Sequence, residues 1–161
     1  MKSWRGNGAL ILSGLLLSCS SLTVCAEEVT PAGYHVYDVQ ESEASDTWYS
    51  ISRGVYLMTG LSKVAEGKTG HAVCDGYTMA KFDCDRVYVR IYLDQSDDGE
   101  TMWHTLDYWT DIAENASVAT TESGQYKIDR GKYYRVKGVH SVTQDGYTET
   151  TTTCTDALHI D

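Results

Sequence analysis

The sequence predicts an all-β fold, an antiparallel β-sandwich, and three observations support this prediction. Residues 87–94 alternate apolar and polar side chains with a period of two, which is typical of a strand with one buried face. Residues 131–143 repeat the alternation, and residues 147–154 are rich in threonine, which suits a pleated strand. Turn signals that end in glycine recur at short intervals, as in sandwiches of short strands. These signals are Asp75-Gly76, Asp98-Gly99, Ser123-Gly124, Arg130-Gly131 and Asp145-Gly146.

Residues 1–26 have the pattern of an export signal. Lys2 and Arg5 form a short basic region, and an apolar run of about ten residues follows, which is too short to span a bilayer. Small residues precede the bond between Ala26 and Glu27, as signal peptidase requires. We therefore predict cleavage at that bond and a freely secreted protein.

A second interpretation of this region is a lipid anchor on Cys19. Leu16-Leu17-Ser18-Cys19 approximates the motif that directs acylation of a cysteine, but leucine fits poorly just before Ser18. Free secretion is the favoured interpretation.

The charge of the chain excludes several classes of partner. Residues 1–26 contain two basic and no acidic residues, so the net charge falls from −10 to −12 without them. Nucleic acids and anionic membranes are polyanions and are not expected to bind so acidic a protein. No second long apolar run follows, so an integral membrane protein is not predicted.

Residues 27–47 are predicted to be a flexible acidic leader. This segment holds the only proline of the chain, and its apolar residues Val36, Tyr37 and Val39 follow no regular period. The β-sandwich domain is then expected to span residues 48–161, a length that suits one domain with a real core.

Three cysteines follow the signal sequence, and export makes a disulfide plausible for them. A bond between Cys74 and Cys84 closes the shortest loop and is the favoured pairing, while either of them with Cys154 is the alternative. Zinc is disfavoured, because the sequence has no Cys-x-x-Cys pair and no histidine at zinc-finger spacing.

A tyrosine next to a turn glycine sharpens the sandwich prediction. Gly131 leads directly into a strand that contains Tyr133 and Tyr134. Immunoglobulin-like Greek-key sandwiches often have a tyrosine at such a corner, with its hydroxyl bonded to the backbone nearby. A plain aromatic strand is the alternative.

Three short motifs carry a resemblance to a known family. Residues 53–57 (RGVYL), 87–89 (VYV) and 131–140 (GKYYRVKGVH) are similar to a group of small secreted Gram-positive proteins, the domain of unknown function 6147. The resemblance covers about residues 48–160. It implies an exported β-rich domain and brings no activity, cofactor or active-site residue.

The acidic segment at residues 94–99 (DQSDDG) has two interpretations. Asp94, Ser96 and Asp98 match the opening of a calcium loop, in which oxygens at alternate positions surround the ion. However, Thr105 occupies the position of the bidentate glutamate, and strands rather than helices flank the segment. A hairpin turn at Asp98-Gly99 is therefore favoured over a weak calcium site, and no other cofactor is predicted.

The aromatic composition favours a binding surface. The chain has 12 tyrosines and 4 tryptophans but one phenylalanine, and residues with an apolar ring and a polar tip are common at interfaces. Trp103 and Trp109 are an even number of residues apart, so both are expected on one sheet face. Such a platform suits an extracellular glycan or a protein ligand, although packing in the core is the alternative for at least one of them.

The sequence gives little support to catalysis. His104 and Asp107 are close in sequence, but no Gly-x-Ser-x-Gly motif accompanies them. His140 falls on the apolar side of its strand, where a hydrogen-bonded core residue is expected. We therefore predict a secreted, non-catalytic binding protein, with a secreted hydrolase or a toxin-like effector as alternatives.

Overall fold

A computed structural model describes residues 27–53 and 56–161. The signal sequence, including Cys19 and Ala26, lies outside the described residues. Among those residues, none belongs to a helix long and apolar enough to cross a membrane. The described ranges form strands: β1 (Glu27–Val29), β2 (Gly33–Val39), β3 (Glu43–Ser50), β4 (Leu57–Glu66), β5 (His71–Ser96), β6 (His104–Glu122), β7 (Tyr126–Lys127), β8 (Lys132–Gln144), β9 (Tyr147–Cys154) and β10 (Leu158–Ile160).

The strands form one curled, mixed sheet. Its order is β1-β9-β8-β5-β4-β3-β2, with β6 and β7 also paired to β5 and β10 paired to β8. β1 runs parallel to β9, and the other pairs are antiparallel. The prediction of an all-β fold is confirmed at this level, while the immunoglobulin-like Greek-key sandwich stays a prediction.

β5 curls the sheet because it takes part in two sets of pairs. Its first half pairs with β4 and its second half with β8, while β6 follows it along both halves. The register with β6 shifts between Met79 and Cys84, where β5 changes direction. As a result the Thr78 hydroxyl donates to the Tyr88 carbonyl at 2.8 Å, so the two halves of one strand face each other.

The core lies between these facing halves. The alternation at residues 87–94 points Val87, Val89, Ile91 and Leu93 inward, and all four are fully buried. Other strands contribute buried apolar side chains in the same way, among them Leu57, Val64, Tyr134, Val136 and Val142.

The prediction of a flexible leader at residues 27–47 is wrong. This segment supplies β1, β2 and the start of β3, which pair with β9, β3 and β4. β2 has no buried face, and its residues are exposed throughout. The strand is held by backbone pairing, and a hydrophobic period therefore does not reveal it.

Most of the glycine turns lie where the sequence predicts them. Gly99, Gly124, Gly131 and Gly146 all have positive φ, which glycine adopts without strain. Gly76 is the exception, because it lies inside β5. A Cβ there would lie 2.4 Å from Cγ2 of Ile91, so this glycine permits a close approach of the two halves of β5.

The corner tyrosine is Tyr134. Its ring is fully buried, and its hydroxyl donates to the carbonyl of Asp129, five residues earlier in the chain. Tyr133 instead lies half-buried, with its ring centroid 4.7 Å from that of His159. Gly131 precedes both with φ of 72° and starts the strand that carries them.

Candidate functional site

The outward side of β5, β6, β8 and β9 is rich in aromatic and cationic side chains. Because Val87, Val89, Ile91 and Leu93 point inward, the residues between them point outward. The register then aligns outward residues of neighbouring strands across the sheet. We name this surface the cationic face and define it by Arg86, Tyr88, Arg90, Tyr92, Trp103, Tyr108, Arg135 and Lys137.

Arg90 lies between two tyrosines of the cationic face. Its guanidinium carbon is 5.0 Å from the ring centroid of Tyr108 and 5.8 Å from that of Tyr88. Its Nε donates to the Thr110 hydroxyl at 2.8 Å, which fixes the plane of the guanidinium. The rings of Tyr108 and Tyr92 are neighbours at 6.1 Å between centroids. Distances of this size give favourable cation–π contacts.

The other end of the cationic face holds a buried carboxylate. Asp94 is 1% exposed and accepts a hydrogen bond from the Thr105 hydroxyl at 2.7 Å. Its Oδ2 lies 3.0 Å from Nζ of Lys137 and 3.3 Å from Nε of Arg135. The Arg135 guanidinium in turn covers Trp103, 4.1 Å from the ring centroid. The cations of this face therefore already bind one carboxylate.

Two open hollows lie side by side on the cationic face. The first is about 450 Å³ in volume, and its lining includes Arg86, Tyr88, Arg90, Thr110, Ser141 and Thr143. The second is about 410 Å³, and its lining includes Tyr92, Thr105, Lys137, Val139, Thr152 and Cys154. Each hollow combines tyrosine, a cation and hydroxyl groups, which is a lining suited to a polar ligand with a flat apolar side.

Only one of the two predicted tryptophans belongs to this face. Trp103 lies on it, whereas Trp109 pairs with inward-facing Ile91 and packs against Tyr126 at 5.3 Å between ring centroids. The register between β5 and β6 shifts at Leu106, and this β-bulge reverses the side on which later residues point. The shared face predicted from the even spacing is therefore wrong.

A second polar cluster lies inside the core around His140. Its Nε2 is 2.8 Å from the Thr153 hydroxyl, which is 2.6 Å from the Ser62 hydroxyl. Its Nδ1 is 2.9 Å from Oγ1 of Thr78, which donates to Tyr88. The Thr78 proton is thus used, so Nδ1 carries the imidazole proton and Nε2 accepts from Thr153. Burial lowers the pKa of His140 to about 3.

Two glycines provide the space for this cluster. A Cβ on Gly60 would lie 2.5 Å from Cγ of His140. A Cβ on Gly138 would lie 2.2 Å from Oγ of Ser62 and 2.5 Å from Oγ1 of Thr153. The cluster is buried, and its hydrogen bonds connect β4, β5, β8 and β9.

The oxygens of the three residues proposed for calcium are already engaged by groups of the protein. Asp94 binds Lys137 and Arg135, while Asp98 accepts hydrogen bonds within its own turn. Ser96 donates to Asp98, so its oxygen is also engaged. In the described ranges, no three acidic, histidine or cysteine side chains are grouped to hold a metal. The predicted hairpin is confirmed, since β5 and β6 pair up to the contact of Gln95 with His104.

The turn at Asp98 is expected to be stable without a bound cation, because its carboxylate is already hydrogen-bonded by the protein. The hydroxyl of Thr101, the backbone N–H groups of Thr101 and Glu100, and the hydroxyl of Ser96 bond its carboxylate and lower its pKa below the usual range. We expect calcium at about 1 mM, within the affinity range of extracellular sites, to raise the melting temperature no more than magnesium does. Thermal unfolding of the wild type and Asp98→Asn measures this. A calcium-specific rise that Asp98→Asn abolishes would restore the calcium site.

The predicted disulfide between Cys74 and Cys84 is wrong. Cys74 exchanges hydrogen bonds with Ser123, whereas Cys84 pairs with Ala116, seven residues earlier on the same neighbour. The two cysteines are thus roughly 20 Å apart, and a disulfide needs Cα atoms within about 7 Å. All three cysteines, including Cys154, are free thiols, and burial raises the pKa of each.

The histidine and aspartate considered for catalysis lie at the start of β6. His104 is exposed and pairs with Gln95, while the Asp107 carboxylate accepts from the backbone of Tyr108. Within the described ranges no hydrogen bond joins His104 to Asp107. The pair lacks the mutual orientation of a catalytic base and its partner.

The cations of the site were overlooked at the sequence level, although a signal for them exists. Arg90 and Arg135 each lie at an outward position of a strand, and the alternation of apolar and polar residues in both strands is evident from the sequence. A pairing of residues 87–94 with residues 135–142 would have placed these cations on one side. The register of that pairing depends on the whole sheet, and one strand alone does not determine it.

Comparison with known proteins identifies the family. The model of DUF6147, a family of unknown function, matches residues 22–158 of the chain. No curated protein and no solved structure matches it. Since the match covers most of the sequence, the resemblance noted from the short motifs is confirmed, and the chain belongs to the DUF6147 family.

Proposed function

We propose that this protein is secreted and non-catalytic, and that its cationic face binds an extracellular glycan. The observation that carries the proposal is the position of Arg90 between Tyr88 and Tyr108, beside two open hollows. The tyrosine rings offer flat apolar surfaces, and the arginine and the neighbouring threonines offer hydrogen bonds. Sugar rings have a matching apolar face and a rim of hydroxyl groups.

The localisation and the finer fold belong to the same proposal. The export signal at residues 1–26 supports secretion, and acylation at Cys19 is the alternative that would keep the protein on a membrane. An immunoglobulin-like sandwich is supported by the hydroxyl bond of Tyr134 to Asp129 and by the facing halves of β5.

A secreted hydrolase is the rival function, and a toxin-like effector is another. The described group that most resembles a catalytic relay is Ser62, Thr153 and His140. A catalytic hydroxyl must reach its substrate, but Ser62 and His140 are fully buried and Thr153, which lines the second hollow, is only 3% exposed. The exposed aromatic side chains of the cationic face favour ligand binding over hydrolysis.

Replacement of one exposed tyrosine tests the proposal. Tyr108 is 56% exposed, so Tyr108→Ala is expected to leave the fold intact and to weaken glycan binding about tenfold, the equivalent of about 1.4 kcal/mol. Affinity electrophoresis of the secreted protein through gels that contain single neutral or acidic polysaccharides measures this binding.

Tyr34→Ala is the matched control, because Tyr34 is also an exposed strand tyrosine, 51% accessible, but lies on β2 away from the cationic face. Equal retardation of both variants and the wild type would contradict the proposal. So would the absence of retardation by every polysaccharide tested, which would direct attention to a protein ligand.

A further inference from the structure

We propose that the ligand of the cationic face is an acidic polysaccharide, whose carboxylate-bearing sugars occupy both hollows. This inference rests on the proposed glycan-binding function and specifies the class of glycan. It depends on the charge of the face, on the carboxylate that the face already binds, and on the arrangement of the two hollows.

The charge of the cationic face is opposite to that of the chain. The whole sequence carries a net charge of −10, yet four cationic side chains lie together here. The nearby acidic residues include Asp94 and Asp46, which are both buried, and Glu114 and Glu28 at the margins, opposite Arg86 and Thr148. A cationic surface on an acidic protein attracts an anionic ligand locally while the rest of the molecule repels it, so the ligand is oriented towards this face.

The second hollow demonstrates how these cations hold a carboxylate. Lys137 and Arg135 bind one oxygen of Asp94, and the Thr105 hydroxyl binds the other. In the first hollow, Arg86 and Arg90 have no such partner. Among the described residues neither forms an ion pair, although the Nε of Arg90 is held by Thr110. Their guanidinium groups are therefore available to a carboxylate of the ligand.

The spacing of the hollows indicates a polymer. Tyr88 and Tyr92 belong to different hollows and are four residues apart on β5, or about 13 Å. Each hollow offers an aromatic ring, a cation and threonine hydroxyls. An acidic sugar has an apolar ring face, a carboxylate and hydroxyls, so one sugar satisfies one hollow. A ligand that fills both must be a chain of several sugars, and its affinity gains from the two linked contacts.

Polygalacturonate and its methyl ester form the matched pair of probes, because esterification removes the charge and keeps the sugar rings. We expect the full-length protein to bind polygalacturonate at least about tenfold more tightly than the ester, and less tightly as sodium chloride is added. Galacturonate oligomers that span both hollows should bind more tightly than the monomer. Isothermal titration calorimetry measures each affinity.

Two variants probe the hollows separately. Arg90→Gln removes the positive charge and leaves a shorter polar side chain, and it should weaken polygalacturonate binding about threefold or more. Thr152→Glu adds a like charge to the second hollow, where Thr152 is exposed, and should weaken binding similarly. Lys127→Gln removes an exposed charge that does not belong to the face and should have little effect. Melting temperatures confirm that the variants are folded.

The possible results separate this inference from the proposed function. If the acid and the ester bind equally and Tyr108→Ala weakens both, the face binds glycans through its rings and the inference is wrong. If heparin binds as tightly and Thr152→Glu has no effect on either polymer, the attraction is a general one for polyanions, and the inference is also wrong. If no polysaccharide binds, the proposed function fails and the inference fails with it.

Discussion

Gly138→Ala is expected to destabilise the protein by about 3 kcal/mol, the upper range for overpacking a core. The new methyl group would lie 2.2 Å from Oγ of Ser62 and 2.5 Å from both Nε2 of His140 and Oγ1 of Thr153. All three neighbours are themselves hydrogen-bonded and buried, so they cannot move aside without breaking the polar cluster. Urea unfolding at neutral pH measures the free energy.

Gly146→Ala is the control for this substitution. Gly146 has φ of 79° and no heavy atom within 4 Å of an added Cβ, so its replacement costs only the strain of the backbone, about 1–2 kcal/mol. If Gly138→Ala proves as stable as Gly146→Ala, the strands do not approach as closely as the structure has them.

Acid is expected to destabilise the protein well before its carboxylates are fully protonated. The pKa of His140 falls from 6.5 to about 3 on folding, because burial disfavours the charged ring. Below pH 6.5 the imidazole of His140 therefore binds a proton in the unfolded chain but not in the native state. The free energy of unfolding decreases as the pH falls towards 3. The loss approaches about 1.4 kcal/mol for each pH unit and reaches roughly 5 kcal/mol in total.

Urea titrations at a series of pH values measure this slope. His140→Gln is expected to be less stable than the wild type at neutral pH but to depend less on pH between about 6 and 4, because glutamine does not titrate. His104→Gln is the control, since His104 is exposed, and it should keep the slope of the wild type. An unchanged slope in His140→Gln would assign the acid sensitivity to the carboxylates instead.

The sequence predicts the central strands well because their alternation is a local property. Residues 87–94 and 132–142 show the period of two, and both form long strands with the expected inward residues. The same reasoning does not predict β2, because neither face of that strand is buried. The information that identifies β2 lies in its pairing with β3, and the apolar pattern of β2 alone does not contain it.

The candidate site was harder to predict because it depends on features shared between strands. A bulge at Leu106 turns Trp109 towards the core, against which it packs partly buried, and the sequence contains no clear signal for that bulge. The pairing of Tyr92 with both Lys137 and Tyr108 requires the registers of three strands at once. The periodicity of a single strand predicts which side of the sheet a residue faces. It does not predict which residues of other strands lie next to it.

The parallel pairing of β1 with β9 has a consequence for the order of folding. β1 contains the first described residues of the chain, and its register partners are residues 147–149, close to the other end. Contacts between such distant segments form slowly, because a long loop must close before they are gained. During synthesis β1 can therefore pair only after residues 147–149 have been made. The edge of the sheet that contains β1 is therefore completed late, and a truncation before residue 147 would leave β1 unpaired.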